Sequence, residues 1–426
     1  MTRRTLRSSK PASGLHPGGS NTPGSAHSPP AEDVVVAGGG LVGKAAALAL
    51  AQAGLRVLLC GVRPAPAAPA QGYGQRVYAF NAASRRFLDR LRVWPQLPQA
   101  RVQPVARMHI AADGAALQFD AYAQSVEALA WIAESDAVER AFDLALQFER
   151  GATLVPWGVE QAQFDGAHWQ LTLADGSAAR TGLLLGADGR HSRVRDWAGI
   201  DLRSKPYGQT GLVCNLRCAQ PHGGTAYQAF TEHGVIALLP LADQGDDHQV
   251  SLVWSAPDAL AASLRAAGAE GLVPRLQPHL EALGAAHLAP LAAAGEMGAW
   301  PLVLQRAHSL VAPGAALLGD AGHVIHPLAG HGLNLGLQDV QALAAVLAGR
   351  GEAQAIGDAR VLRRYARARA EQVLALELAT DALHRLYAPG MAWLAPLRAF
   401  GLTGTNHLSP LKRWLAGYAS GLSVMA

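Results

Sequence analysis

Apolar positions in this chain follow two patterns. Short continuous runs, such as "DVVVA" at residues 33–37, "RVLLC" at 56–60, "LLLG" at 183–186 and "AALL" at 315–318, are apolar on both faces, like strands of a parallel sheet covered by helices. Between the first two runs, "LVGKAAALALAQA" at 41–53 predicts a helix. In the middle of the chain the period changes. The stretches "GTAYQAFTEHGVIALLPL" at 224–241 and "HQVSLVWSA" at 248–256 alternate, which predicts an antiparallel sheet. Near the end, "TDALHRLYAPGMAWLAPL" at 380–397 has helical spacing and an apolar face, which core packing explains more simply than a membrane or a partner. The expected fold is α/β: a parallel sheet with flanking helices, an antiparallel-sheet domain and C-terminal helices.

The turn after the first strand carries Gly38, Gly40 and Gly43 in G-x-G-x-x-G spacing. In a Rossmann-like unit the first glycine allows the tight turn, the second lets backbone approach a pyrophosphate, and the third lets helix pack on strand. The helix that follows points its free N–H groups and positive dipole end at the phosphates. The acidic residue expected at the end of the second strand, for the ribose hydroxyls, is absent; Cys60 and Gly61 stand there. A lost charge-assisted hydrogen bond costs about 1.5–3 kcal/mol, roughly ten- to hundredfold in affinity. Two readings stay open at this point: Arg63 accepts the 2′-phosphate of NADP, or the dinucleotide is FAD with a weakened ribose contact.

Two further strands end in a carboxylate. "LLLGADGRHSRVR" at 183–195 leads to Gly186, Asp188 and Gly189, and "AALLGDAGH" at 315–323 leads to Gly319 and Asp320. Open α/β sheets bind ligands at the C-terminal ends of their strands, so three such ends point to one crevice. Together with "QRVYAFNAASRRFLDRL" at 75–91, "ALAWIAESDAVERAF" at 128–142, "GDAGHVIHPLAGHGLNLGLQDV" at 319–340 and the tail at 383–422, these motifs resemble the FAD-dependent aromatic hydroxylases of the p-hydroxybenzoate hydroxylase fold. The likeness is closer still to their ubiquinone-biosynthesis branch and runs from residue 33 to the C-terminus.

The resemblance implies a Rossmann-like FAD-binding domain and an antiparallel-sheet substrate domain that covers one face of the flavin. It implies that Gly38, Gly40 and Gly43 hold the FAD pyrophosphate, that Arg76 lies beside the cofactor, and that Asp188 contacts FAD and NAD(P)H. Gly319 and Asp320 would meet the ribityl chain, and Pro327 the flavin ring. Gly330 and His331 would lie at the cofactor, and the backbone of Gly332, Leu333 and Asn334 would donate to the pyrimidine oxygens, glycine allowing the close approach of a planar ring. Two positions depart from the branch: Gly61 replaces a glutamate and His331 a glutamine. A histidine there could place a titrating positive charge beside a reduced flavin; more simply, it fills the glutamine's space. His323 and His326 are read as satisfying backbone groups in their turn. No catalytic side chain is assigned.

The implied activity is FAD-dependent hydroxylation of an aromatic ring with NADH or NADPH and O2, on a prenylated phenol of quinone synthesis. The alternatives are a non-catalytic scaffold or lipid-binding subunit of the same fold, and a flavoenzyme acting on another phenol. Composition narrows the partners. The chain has 426 residues, of which 50% are hydrophobic and 16% charged, and a net charge of +4. With no basic run beyond the first dozen residues, nucleic acid is not an expected partner. The three cysteines, Cys60, Cys214 and Cys218, fit a reducing cytoplasm, and Cys214 and Cys218 share a strand face rather than forming a metal site. Arg3 and Arg4 are followed by no apolar export segment, and no run is long enough to span a bilayer. The expected location is cytoplasmic, with peripheral association at the inner membrane or with a biosynthetic complex left open. The expected division is a disordered tail at 1–32; FAD-binding parts at 33–105, 132–201 and 301–357; substrate-domain parts at 106–131 and 202–300; and a C-terminal helical region at 358–426.

Overall fold

The computed structural model describes residues 31–67, 73–242, 248–326 and 330–386. Three sheets organise them. The first holds β1 (Ala31–Ala37), β2 (Val57–Cys60), β8 (Ala152–Val155), β9 (Val159–Phe164), β10 (Trp169–Leu173), β11 (Ala178–Gly186), β18 (Val311–Ala312) and β19 (Ala315–Leu317). Its order is β18-β19-β11-β1-β2-β8, with β10 on β11 and β9 on β10. From β19 across to β8 every pairing is parallel. β1 is therefore buried on both edges and both faces, and this explains the unbroken Val34, Val35 and Val36 run, each with no exposed surface.

The second sheet is the antiparallel one. It contains β5 (Arg107–Ala112), β6 (Ala115–Asp120), β12 (Leu202–Cys218), β13 (Thr225–Thr231), β14 (Gly234–Leu241), β15 (Gln249–Pro257), β16 (Leu291–Ala293), β17 (Gly298–Ala307) and β20 (His323–Val324). The alternating stretches of the sequence are its β13–β14 hairpin and β15. Cys214 and Cys218 both lie buried in β12, four residues apart on one face. The third sheet is small: β3 (Val77–Phe80) and β4 (Val102–Val105) flank β7 (Ala130–Glu134).

Seven helices are described: α1 (Leu41–Gln52), α2 (Ala82–Arg90), α3 (Ser135–Gln147), α4 (Arg193–Trp197), α5 (Asp258–Leu276), α6 (His331–Ala348) and α7 (Ala359–Leu386). α1 lies between the parallel sheet and α3 and α6, so nearly all of its residues are buried. That includes Lys44, whose ammonium meets Asp143 of α3 at 2.6 Å.

The structure moves some expected boundaries. β1 begins at Ala31, in register with Arg180, and Glu32 pairs with Thr181, so the first strand starts two residues earlier than expected. A strand bonded to its neighbour forms even where its own side chains are unremarkable. We propose the same division into domains, with two adjustments: β7 crosses residue 131 and β17 crosses residue 300. The short β20 pairs with β17, tying the turn after Gly319 to the substrate sheet.

Beneath that turn lies a fully buried carboxylate. Asp339 of α6 accepts from the Gly319 backbone N–H at 2.9 Å, shares a 2.6 Å hydrogen bond with His323 Nε2, and accepts from Arg369 Nε of α7 at 2.6 Å. Arg369 also donates to the Leu335 carbonyl, and the buried Tyr365 hydroxyl donates to the Leu317 carbonyl at 2.8 Å. Burial alone would raise the Asp339 pKa; His323 and Arg369 outweigh it and hold the carboxyl below its ordinary value. Removing one member of such a network strands the others without water. Asp339→Ala is expected to lower the free energy of unfolding by about 3–5 kcal/mol, measured from the urea midpoint; a loss under about 1 kcal/mol would show that Arg369 and Gly319 find other partners.

Candidate functional site

The parallel strands end flush. Leu317 of β19 is level with Gly186 of β11, Gly186 with Ala37 of β1, Ala37 with Cys60 of β2, and Cys60 with Val155 of β8. The loops leaving these ends therefore form one rim, in the order Gly319–Asp320, Asp188, Gly38–Gly40, Gly61, Trp157. The rim is the ligand-binding edge expected of an open α/β sheet, and it gathers Gly38, Gly40, Gly43, Asp188, Gly319 and Asp320.

The glycines of the first turn differ in what surrounds them. A β-carbon on Gly38, at φ +113°, would lie 2.2 Å from the Ala187 carbonyl, and one on Gly43 would lie 1.8 Å from the Gly38 carbonyl. Both positions exist to bring strand, turn and helix together. A β-carbon on Gly40 would meet nothing within 4 Å; it would project into open space before the N-terminus of α1. No side chain caps that helix end and no acidic residue lies in its first turn. Free N–H groups, a positive dipole end and an open approach fit a pyrophosphate.

At the other end of the rim, Asp320 is open to solvent on one side and walled by protein on the others. That enclosure raises its pKa, while His323, Arg76 and Arg190 pull it down. Arg76, exposed, stacks its guanidinium 5.0 Å from the Tyr78 ring centre, and the same charges bear on Tyr78, whose phenol is raised mainly by burial. Arg76 and Arg190 thus both bear on Asp320, and Arg190 is a member that the motifs alone did not single out.

The five glycines between Gly319 and Gly336 divide similarly. At Gly336 a β-carbon would come 2.8 Å from Val42 of α1, and at Gly322 it would come 2.5 Å from Leu310, whereas at Gly332 it would meet nothing within 4 Å. Helix packing thus accounts for Gly336, a close contact with the Leu310 side chain for Gly322, and access for Gly332. α6 starts at His331 with Gly330 as its uncapped N-terminal flank, so the N–H groups of Gly332 and Leu333 head the helix. Asn334 is occupied elsewhere: its side chain donates to the Ala79 and Gly330 carbonyls and accepts from the Asn81 N–H, pinning α6 to the start of α2. Pro327 and the His331 side chain lie outside the described residues.

Several side chains do other work than expected. Asp188 accepts from the N–H groups of Arg193 and Val194 at 2.8 and 3.2 Å, so one of its oxygens holds the start of α4; the other is buried without a partner. His323 and His326, both buried, bond to side chains, His323 to Asp339 and His326 to Gln209 at 3.0 Å. The Asp339 partnership escaped the motif reading, yet it had a signal. Asp339 sits four residues from Leu335 and from Leu343, a charge on the apolar face of α6.

Comparison with known proteins names the cofactor of the family. A family model described as the FAD binding domain matches residues 31–378. The chain belongs to that FAD-binding family. It is 34% identical over 393 residues to the ubiquinone hydroxylase UbiL of Rhodospirillum rubrum, covering 91% of this chain and 89% of the other. It is 33% identical to the 3-demethoxyubiquinol 3-hydroxylase of Escherichia coli, covering 92% of this chain and 98% of that protein. Among solved structures, p-nitrophenol 4-monooxygenase PnpA of Pseudomonas putida superposes with a TM-score of 0.72 at 19% identity, over 92% of this chain and 99% of that one, a likeness of fold. This chain is an FAD-dependent monooxygenase.

The residues of the flavoprotein fit that cofactor: the open approach at Gly40, the uncapped helix ends of α1 and α6, the space above Gly332, and the carboxylate of Asp320 are what FAD requires from pyrophosphate to ring. We propose that the rim residues named above hold it. When bound, FAD supplies the redox chemistry between NAD(P)H, dioxygen and the aromatic ring.

Two variants test the placement. Gly40 has an extended backbone, φ −75° and ψ −178°, so Gly40→Ala is expected to leave the apoprotein's melting temperature unchanged and weaken FAD about tenfold or more; equal affinity by titration would put the pyrophosphate elsewhere. Asp320→Asn is expected to weaken FAD and to stabilise the apoprotein. Its carboxyl is raised in the fold, so the stability tied to its protonated form is complete below about pH 4 and is lost as pH rises through the folded pKa. The variant should therefore match the wild type at low pH and exceed it increasingly above, in denaturant titrations across that range; the opposite slope would mean that Asp320 is stabilised as an anion without the cofactor.

Proposed function

We propose that this monooxygenase hydroxylates the aromatic ring of a prenylated phenol on the way to a quinone. The similarity to two hydroxylases named for ubiquinone and demethoxyubiquinol, over nine-tenths of the chain, carries the reading. An apolar surface in the right place supports it. Between the three-stranded sheet and the antiparallel sheet, Tyr73, Val77, Ala79, Leu129, Ala130 and Leu239 are half-buried around a small core of Val105, Ile132, Ala226 and Leu241. This surface reaches the flavin end of the rim, since a β-carbon on Gly330 would lie 3.3 Å from the Ala79 side chain. An aromatic head placed there would have hydrocarbon beside it for its tail, and burial of each methylene is worth about 0.8 kcal/mol.

Among the described residues no helix is long and apolar enough to cross a membrane. A substrate that partitions into lipid would be met at the membrane surface, and we include peripheral association in the proposal. Exposed Leu374 and Leu378 on α7 are apolar surface available for such contact.

The expected result with purified, FAD-loaded protein is NAD(P)H-dependent oxygen uptake that rises several-fold with a short-chain prenylated phenol, with one oxygen atom in the product and little peroxide released. Uptake returned wholly as peroxide with every prenylated phenol, but coupled with a small unprenylated one, would replace the substrate class while keeping the chemistry.

A further inference from the structure

The rim has an adenosine end, and its chemistry is unusual. With the pyrophosphate at Gly40 and the ring end at Asp320 and the head of α6, a cofactor laid along the flush strand ends must extend the other way, over β2 and towards β8. The residue that should anchor its ribose is Gly61, and Gly61 has no side chain. What stands next to it is the main chain of a tryptophan. The Gly61 N–H donates to the Trp157 carbonyl at 2.8 Å and the Val62 N–H to the Val155 carbonyl at 3.0 Å. The two loops leave the sheet side by side.

Trp157 is 46% exposed, and among the described residues it belongs to none of the hydrophobic clusters. A large aromatic left at the surface gives up the burial that usually stabilises it. Its position on the loop after the edge strand β8, level with the missing acid, gives it a ligand to cover. We propose that Trp157 stacks on the adenine ring of FAD and supplies the affinity that a carboxylate at position 61 would otherwise supply through the ribose. The assignment rests on the FAD site described above. It exchanges a directional, charge-assisted bond to a sugar for a π-face contact with the base, worth a comparable five- to hundredfold in binding, or about 1–3 kcal/mol.

The test is a titration of full-length apoprotein with FAD, ADP and riboflavin, followed by protein fluorescence, for the wild type, Trp157→Ala and Trp157→Phe. Because Trp157 is exposed, apoprotein melting temperatures should agree among the three. Trp157→Ala is expected to raise the dissociation constants of FAD and ADP about tenfold or more while leaving that of riboflavin, which lacks adenine, unchanged; Trp157→Phe should keep most of the affinity. Wild-type affinity for FAD and ADP in Trp157→Ala would overturn the stacking assignment with the flavin site intact. A wild-type protein that stays colourless with excess FAD would overturn the flavin site itself, and the inference with it.

Discussion

The site depends on a negative charge that never sees solvent. Asp339 collects the Gly319 N–H, the His323 imidazole and the Arg369 guanidinium on one carboxylate, and those three groups come from the turn that carries Asp320, from β20 and from α7. In the low dielectric of the interior each bond is strong only while the others persist. The network therefore fixes where the Gly319–Asp320 turn stands relative to α6. Since α6 in turn carries the backbone N–H groups proposed to meet the ring, one carboxylate sets the distance between two separate parts of the proposed cradle.

That rigid end contrasts with the middle of the rim, where geometry comes from close contact rather than from charge. Gly38, Gly39 and Gly43 bring backbone against backbone at distances no side chain would allow, and the parallel strands below hold the loops level. Gly40 and Gly332 are glycines of another kind, standing before open space. The same residue type thus serves two ends: to let the protein close on itself, and to let something else come near.

Much of this was legible in the chain because the signals are local. A β-branched run, a glycine spacing and a helix of near-continuous apolar residues lie within about thirty positions of one another, and each follows from backbone sterics. The same holds for the β13–β14 hairpin, where alternation survives in an antiparallel sheet with one face buried. What escaped the sequence was pairwise. Nothing near Asp339 announces Arg369, thirty positions on, and nothing near His323 announces Asp339. Asn334 looked like part of a backbone turn, yet its side chain spans to Ala79 and Asn81, far away in sequence. The start of β1 escaped for a related reason: Ala31 and Glu32 are strand because Arg180 and Thr181 are beside them, not because of what they are.

The spread of the rim along the chain bears on how the protein is made. Its contributors run from the glycine turn at the end of β1, through the loops after β2, β8 and β11, to the turn after β19 and the head of α6, with the antiparallel sheet synthesised in between. A nascent chain that has left the ribosome only as far as β17 owns the pyrophosphate turn but neither Asp320 nor α6, and so has half a cradle. With the cradle as proposed, FAD, as a ligand of the native state, contributes its full binding energy only once translation has passed α6. Cofactor capture is thereby a late event, and a supply of FAD acts on the finished polypeptide rather than guiding its first domain into shape.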